Sequence, residues 1–237
     1  NGGSNHVIQA TAGNQPTYQT NEEHGLSVVE FDGTDDFLSI ASMTNGMSGN
    51  AKYTVFVVVK STSGDDNSNH IFFSHGDTNS NGKQIRIEWD HLNNRVLADY
   101  WSGFTLFNDY ETRHEGETTL LSLVGPGSGD ATSKEFYFNG SSENHTDSGT
   151  ATLNLDATEK FNLGSWANGN GTNFGGQFME VIVYKTNLAT SERQAVESYL
   201  RNKWQKGVDG IATNKLLGHW DAYKAESMTS DAVSYTH

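Results

Sequence analysis

Residues 53–60 read YTVFVVVK and form the longest apolar run of this 237-residue chain. Its β-branched and aromatic side chains fill consecutive positions, which predicts a strand that is buried on both faces. The run is far shorter than the roughly 18 residues that cross a bilayer, so no membrane insertion is expected. Shorter runs separated by Gly and Asn predict further strands over residues 26–31, 37–41, 70–74, 84–90, 95–101, 104–107, 118–124, 134–139, 151–155, 160–164 and 177–184. Short strands at this spacing are typical of an all-β sandwich.

One segment near the end of the chain has a helical pattern instead. Between residues 188 and 206 the apolar side chains Val196, Tyr199, Leu200 and Trp204 recur at helical spacing, so we expect them to pack on a sheet. Thr190 or Ser191 is the expected N-cap of this helix, and Gly207 is the expected stop.

The composition is acidic and contains no cysteine. With 15 Lys and Arg against 29 Asp and Glu, the formal net charge is −14, and such a charge repels the phosphates of nucleic acids. The absence of Cys excludes disulfides, thiolate metal sites and Cys nucleophiles. A surface rich in acidic residues, Gly, Ser, Thr and Asn is typical of proteins outside the cell. We therefore expect an extracellular, cell-surface or virion-surface location.

The turn in residues 31–38, FDGTDDFL, predicts a hairpin between the strands at 26–31 and 37–41. This stretch resembles the FDG-x-x-D hairpin of laminin-G-like domains in the concanavalin A-like lectin/glucanase superfamily. Residues 174–184, FGGQFMEVIVY, and the helix that follows them resemble the ending of that family. The resemblance covers about residues 1–206 and implies a jelly-roll-like antiparallel β-sandwich with one short C-terminal amphipathic helix.

The two ends of the chain depart from the family pattern. The family usually opens with a W-x-D-A strand, followed by a segment similar to NGGSNHVIQAT. Here the second piece stands at residues 1–11, and HWDA stands at 219–222. We therefore expect residues 207–237 to form a linker and a C-terminal strand. That strand can close its own sandwich, complete a neighbouring copy of the chain, or be an unrelated tail.

The sequence predicts no catalytic activity. Glucanases of the superfamily carry an E-x-D-x-x-E strand whose carboxylates flank the scissile bond, and this chain has no such motif. Glu88 and Asp90 share a strand face but lack the third carboxylate, and Glu180 lies where the family resemblance implies a structural role. Neither a G-x-S-x-G nor an H-E-x-x-H motif occurs.

A first calcium candidate is the loop that begins at Asp77. Asp77, Asn79 and Asn81, followed by Glu88, satisfy the spacing of an EF-hand loop. However, residues 84–90 are expected to form a strand, which would place Glu88 about 20 Å from the loop. The loop is then a polar turn, with a looser Ca²⁺ site on the oxygens of Asp77, Asn79 and Asn81 as the alternative.

A second calcium candidate is the pair Asp35 and Asp36 in the Asp-Gly turn. Laminin-G-like domains often carry a Ca²⁺ ion at the rim of the sandwich, so the resemblance implies this role for the pair. The alternative is that both carboxylates stabilise the turn by accepting backbone hydrogen bonds.

Two aromatic residues are candidates for carbohydrate binding. Such sites need an aromatic ring for the apolar face of a sugar and planar polar groups for its hydroxyls. Trp166 stands in a loop with Asn168, Asn170 and Asn173, and an exposed Trp there must pack or bind something. Trp101 belongs to a second aromatic cluster, for which a place in the core or on a strand surface is the alternative.

These observations predict a non-catalytic glycan-binding or adhesion module of an extracellular or particle-surface protein, arranged in an array. Its expected partner is a glycan or cell-surface polysaccharide. The alternative is a structural subunit of a surface fibre or virion, in which exchange of the C-terminal strand joins neighbouring copies.

Overall fold

The computed structural model describes residues 6–40, 47–62, 69–76, 80–108, 114–142, 145–156, 160–166 and 172–205. In chain order the strands are β1 (Thr17–Glu23), β2 (Leu26–Asp32), β3 (Leu38–Ile40), β4 (Lys52–Ser61), β5 (His70–Gly76), β6 (Gln84–Asp90), β7 (Arg95–Asp99), β8 (Gly103–Asn108), β9 (Thr119–Pro126), β10 (Glu135–Phe138), β11 (His145–Gly149), β12 (Phe161–Leu163) and β13 (Gly175–Tyr184). Helix α1 (Thr190–Trp204) follows the last strand.

The strands form two antiparallel sheets that pack face to face. The six-stranded sheet has the order β1-β2-β13-β4-β9-β10, and the seven-stranded sheet has the order β11-β8-β7-β6-β5-β12-β3. This architecture is the jelly-roll-like β-sandwich that the sequence predicts, with one short helix at its C-terminal side.

Strand β4 lies at the centre of the six-stranded sheet and is buried on both faces, as predicted. Val55, Val57 and Val59 belong to the main core between the sheets. Phe56 and Val58 face the other way and belong to a second apolar cluster. Helix α1 covers that cluster with Leu200 and Trp204, which explains why the strand carries no alternating polar positions.

The ends and faces of α1 differ from the sequence expectation in two details. The N-cap is Ala189, whose backbone N–H donates to Glu192 Oε2 at 2.9 Å, so neither Thr190 nor Ser191 is the cap. The Glu192 carboxylate thus supplies the N3 half of a capping box, whereas Ala189 has no side-chain oxygen to accept from the first-turn N–H groups. Tyr199 is 51% exposed and lies outside the packed face, whereas Leu200 and Trp204 are buried as expected.

The predicted hairpin around residues 31–38 is wrong. Strand β2 pairs with β1 and β13, while β3 pairs with β12 in the other sheet, so the turn carries the chain from one sheet to the other. Asp36 Oδ2 accepts from Asp32 N at 2.9 Å, and Asp32 Oδ1 accepts from Thr34 N at 2.8 Å. These local hydrogen bonds close the turn without any pairing between its two strands.

Three further segments differ from the sequence prediction: two strands were not predicted, and one predicted strand does not form. Strands β1 and β11 are mostly exposed and polar, so neither has an apolar pattern. The predicted strand at 151–155 is an extended segment that forms only an isolated bridge between Leu155 and Gly49. Its side chains alternate between buried and exposed because Ala151, Leu153 and Leu155 pack into the core.

No helix in the described part of the chain is both long and apolar enough to cross a membrane. Residues 206–237 lie outside the described residues, and they include Gly207 and the whole predicted C-terminal strand.

Candidate functional site

The seven-stranded sheet turns a polar face away from the core. Along β6 the inward side chains are Ile85, Ile87 and Trp89, which belong to the main core. The alternate side chains, on the opposite face, are Gln84, Arg86, Glu88 and Asp90. Three of these four are buried although they face away from the core, which marks this face as a candidate site.

The pairing of β6 with β7 decides which of these charges find partners. Arg86 lies directly opposite Asp99, and Asp90 lies directly opposite Arg95. Arg86 Nε donates to Asp99 Oδ2 at 2.9 Å, and Arg95 Nε donates to Asp90 Oδ2 at 2.7 Å. Glu88 lies between these two pairs and opposite the apolar Leu97, so the cross-strand register leaves it without such a partner.

Asp99 also organises the turn between β7 and β8. Its Oδ1 accepts from Gln84 Nε2 at 2.8 Å and from the backbone N–H of Trp101 at 2.7 Å. Trp101 and Ser102 have φ values of 58° and 74°, and Tyr100 N donates to Gly103 O across this two-residue turn at 2.9 Å. Such turns favour Asn and Gly, so a Trp in the left-handed region is a strained choice of the kind found at functional sites.

Trp101 stacks on Trp166, which comes from a loop far along the chain. The ring centroids are 5.5 Å apart and the ring planes differ by 12°. Trp166 Nε1 donates to Gln84 Oε1 at 3.0 Å, and the Arg86 guanidinium lies 5.6 Å from the Trp166 ring centroid. The fold therefore unites two residues that the sequence offered as separate candidates, and both rings remain half-buried.

A cleft of about 560 Å³ lies beside this stack. Trp101 and Phe104 supply aromatic surface to it, and Arg86, Arg95, Glu88 and Asn69 supply polar groups. Glu88 Oε2 and Asn69 Oδ1 are buried oxygens that accept a hydrogen bond from none of the residues that the structure describes. Buried acceptors without hydrogen-bond donors beside an aromatic ring are typical of a site that binds a polar ligand.

The environment of Glu88 changes its acidity. Burial raises the pKa of Glu88 to about 7, and the neighbouring carboxylates Asp99 and Asp90 raise it further, against the opposite effect of Arg86 and Arg95. The carboxyl therefore changes charge near neutral pH, unlike a solvent-exposed glutamate.

The remaining predicted sugar contacts lie elsewhere or outside the described residues. Asn173 Nδ2 donates to Thr34 O at 2.5 Å, so this side chain contacts the turn that joins the two sheets. Asn168 and Asn170 lie outside the described residues.

The turn that contains Asp35 and Asp36 holds three carboxylates. Asp32, Asp35 and Asp36 each offer one oxygen within 4.8 Å of the others, and Asp32 was not among the sequence candidates. Burial raises the pKa of Asp36, and the charges of Asp32 and Asp35 act in the same direction, while a hydrogen bond from the backbone of Asp32 lowers it. Hard oxygen ligands of this kind suit Ca²⁺. Because the backbone already uses some of these oxygens, calcium here stays a prediction.

The loop that begins at Asp77, the other calcium candidate, belongs only in part to the described residues. Asp77 and Asn79 lie outside the described residues. Asn81 Oδ1 accepts from Ser102 Oγ at 2.7 Å, which ties it to the turn that carries Trp101. Residues 84–90 form strand β6 as predicted, which is the observation that argued against an EF-hand loop.

The charged floor of the cleft was not among the predicted sugar contacts, and of its residues only Glu88 was considered from the sequence, for catalysis and for calcium. The floor consists of Gln84, Arg86, Glu88, Arg95 and Asp99. One signal was available in the alternation of QIRIEWD at 84–90, where every second residue is polar. That pattern predicts a polar face but says nothing of the charges that β7 places opposite.

Comparison with known proteins shows the fold. No family model matches the sequence, and no curated protein matches it either. Among solved structures, domain 4 of AbnA, a GH43 extracellular arabinanase from Geobacillus stearothermophilus in complex with arabinotriose, is similar with a TM-score of 0.52 and 16% identity. The match covers 77% of this chain and 81% of that one.

Two further structures extend the comparison. The binding domain of botulinum neurotoxin serotype G has a TM-score of 0.50 and 10% identity, over 81% of this chain and 48% of that one. Trypanosoma rangeli sialidase in complex with the inhibitor DANA has a TM-score of 0.52 and 12% identity, over 73% of this chain and 27% of that one. These likenesses show a β-sandwich fold, which is consistent with a concanavalin A-like fold, while the laminin-G-like assignment stays a prediction.

Proposed function

We propose that the chain is a carbohydrate-binding module that holds a sugar chain in the cleft beside Trp101. The observation that carries the proposal is the half-buried Trp101 at a cleft whose buried Glu88 and Asn69 oxygens accept no hydrogen bond from the described residues. A sugar has an apolar face that packs on an aromatic ring and hydroxyls that donate to such oxygens.

The energetic cost of the arrangement supports a binding role. Each buried acceptor without a donor costs about 1–3 kcal/mol, and a non-glycine residue in the left-handed region of a turn costs a similar amount. A bound sugar offsets the first cost, because its hydroxyls replace the missing donors.

The comparisons add support from similar folds. Domain 4 of AbnA is described in complex with arabinotriose and belongs to an extracellular enzyme. We extend both features to this chain as a proposal, namely a sugar ligand and a location outside the cell or on its surface. No catalytic role is proposed, because two of the three carboxylates among the described lining residues, Asp90 and Asp99, are each bound by an arginine.

The test is isothermal titration calorimetry of the full chain with arabinotriose and with neutral arabinan, xylan and glucan oligosaccharides. At least one of them is expected to bind, and Trp101→Ala should weaken that binding at least about tenfold, since about 1.4 kcal/mol corresponds to a factor of ten. The matched control is Tyr18→Ala, which removes an aromatic side chain that is 66% exposed on the other sheet. Failure of every sugar to bind, or unchanged binding by a folded Trp101→Ala variant, would contradict the proposal.

Assembly into an array through the C-terminal strand is a separate proposal. It rests on the order of the two end segments, since the family's opening strand stands at residues 219–222. Sedimentation of the full chain should show oligomers that grow with concentration, and a chain that ends at Gly210 should not form them. A full chain that stays monomeric at every concentration would favour closure of its own sandwich and remove the fibre or virion subunit from consideration.

A further inference from the structure

Glu88 is the most unusual charged residue of the described chain because it is buried at the cleft without a hydrogen-bond donor. The residue is 2% exposed, and its cross-strand neighbours are the apolar Ile71 on β5 and Leu97 on β7. The nearest cationic atom is Arg86 Nη1, which lies 3.2 Å from Oε2 without forming a hydrogen bond to it. This oxygen is therefore available to a donor that enters from the cleft.

Both arginines of the cleft already form an ion pair with an aspartate. Arg86 binds Asp99 through both Nε and Nη2, and Arg95 binds Asp90. Among the described lining residues, two arginines therefore face three carboxylates. Because the carboxylates outnumber the arginines, a ligand carboxylate or sulfate would meet like charge in the cleft, whereas an uncharged hydroxyl needs only the free oxygen of Glu88.

We infer that Glu88 determines the specificity of the cleft, accepting a hydrogen bond from a hydroxyl of an uncharged sugar whose ring packs on Trp101. This inference rests on the proposed function and names the ligand class, which is neutral glycans and excludes acidic ones. Glu88 thus separates ligands by charge, while Trp101 contributes affinity that does not depend on charge.

The same geometry couples sugar binding to pH. The described charged groups around Glu88 are Arg86 and Asp90 on its own strand and Arg95 and Asp99 on β7, while β5 places only Ile71 opposite it. A hydroxyl donates more strongly to a carboxylate than to a neutral carboxyl group. Binding therefore favours the deprotonated form, releases a proton below neutral pH, and becomes tighter as the pH rises through the pKa of Glu88, which is about 7.

The experiment titrates the full chain with the neutral arabinan, xylan and glucan oligosaccharides and with trigalacturonate as the acidic probe. The wild type should bind a neutral sugar about tenfold more tightly near pH 8.5 than near pH 5.5, and should bind trigalacturonate weakly at both. Glu88→Gln keeps the shape of the side chain and removes its charge. This variant should bind the neutral sugar about tenfold more weakly at the higher pH, with no change between the two pH values.

Glu22→Gln is the matched control, because Glu22 is an exposed glutamate on β1 of the other sheet and its removal should leave the pH profile unchanged. A second measurement is independent of any variant. The carboxyl ¹³C signal of Glu88 should titrate at lower pH when the neutral sugar is bound.

The outcomes separate the two proposals. Binding that Trp101→Ala abolishes but Glu88→Gln leaves unchanged would overturn the inference alone. The inference alone would also be overturned if the pH dependence persists in Glu88→Gln or if the titration pH of the Glu88 carboxyl signal is the same with and without sugar. Tighter binding of trigalacturonate than of every neutral sugar would overturn it as well. Absence of binding by all probes would overturn both the inference and the proposed function.

Discussion

The outward faces of the two sheets have the same strand geometry but opposite chemistry. On the six-stranded sheet the outward side chains Val28, Phe56, Val58 and Leu120 are apolar, and helix α1 covers them. On the seven-stranded sheet β6 presents Gln84, Arg86, Glu88 and Asp90 beside a cleft. Both faces are buried, so burial alone does not distinguish them. They differ because the seven-stranded sheet buries a carboxylate oxygen, Glu88 Oε2, beside a cleft without a hydrogen-bond donor among the described residues.

Each region also contains a buried glutamate, and the two glutamates differ in their partners. Glu197 on α1 is 1% exposed and forms an ion pair with Arg193, which is 3% exposed. Arg193 in turn lies 3.5 Å from the ring centroid of Tyr137 on β10. Glu88 is buried to a similar degree, but its Oε2 accepts a hydrogen bond from none of the residues that the structure describes. The first glutamate serves the packing of the helix, and the second is open to a ligand.

The largest expected effect concerns the paired glutamate. Glu197→Gln should lower the free energy of unfolding by about 3–5 kcal/mol, because it leaves the buried Arg193 charge without its counter-ion. Urea unfolding followed by fluorescence measures this loss. A loss below about 1 kcal/mol would mean that the pair does not hold the helix on the sheet, and the contrast with Glu88 would be broken.

A smaller effect is expected at Glu88, and its sign depends on pH. Because the pKa of Glu88 in the folded chain is about 7 and thus above its ordinary value of 4.5, the folded state binds the proton more tightly than the unfolded state. The stability that this group contributes is complete below about pH 4.5 and is lost as the pH rises to about 7, by up to about 3 kcal/mol.

Glu88→Gln should remove that part of the pH dependence and should be more stable than the wild type above neutral pH. Thermal and urea unfolding of both proteins at a series of pH values measures the difference between them, in which the other titrating groups cancel. Parallel stability profiles would show that the Glu88 carboxyl is not destabilised by its burial.

The smallest expected effect concerns the turn that joins the two sheets. If Asp32, Asp35 and Asp36 hold Ca²⁺ with the weak affinity of extracellular sites, about 5 mM Ca²⁺ should stabilise the fold by about 1 kcal/mol. Asp35→Asn is the informative variant, because Asp32 and Asp36 also accept backbone hydrogen bonds that their replacement would disturb. Equal melting temperatures of the wild type with calcium and with chelator would end the calcium prediction.

Local patterns explain which parts of the sandwich were predictable. The run at 53–60 predicts a strand buried on both faces, and residues 84–90 are predicted to form a strand; β4 and β6 confirm both. The hairpin at 31–38 is wrong because an Asp-Gly turn specifies only a reversal of the chain. The strand that pairs with β2 on its second edge is β13, which lies far away along the chain, so the turn sequence does not specify it.

The site was predictable only in part, for a similar reason. Trp101 and Trp166 were each recognisable as aromatic residues near Gly and Asn, but nothing local says that their rings stack. Likewise, Glu88 and Arg86 stand two positions apart on one strand, and only the register of β6 with β7 shows that Arg86 meets Asp99 while Glu88 meets Leu97. A shift of that register would give both residues different partners.

The sequence by itself determined the all-β class, the buried central strand, the helix that ends the described chain and the acidic surface charge. Each of these depends on composition or on the spacing of near neighbours, which strand and helix periodicity convert directly into structure. Only the tertiary structure shows that the Asp-Gly turn joins two sheets, that two distant tryptophans stack, and that a buried carboxylate at the cleft has an oxygen that accepts no hydrogen bond from the described residues. These features depend on which strands lie side by side, and strand pairing brings together residues whose separation along the chain carries no local signal.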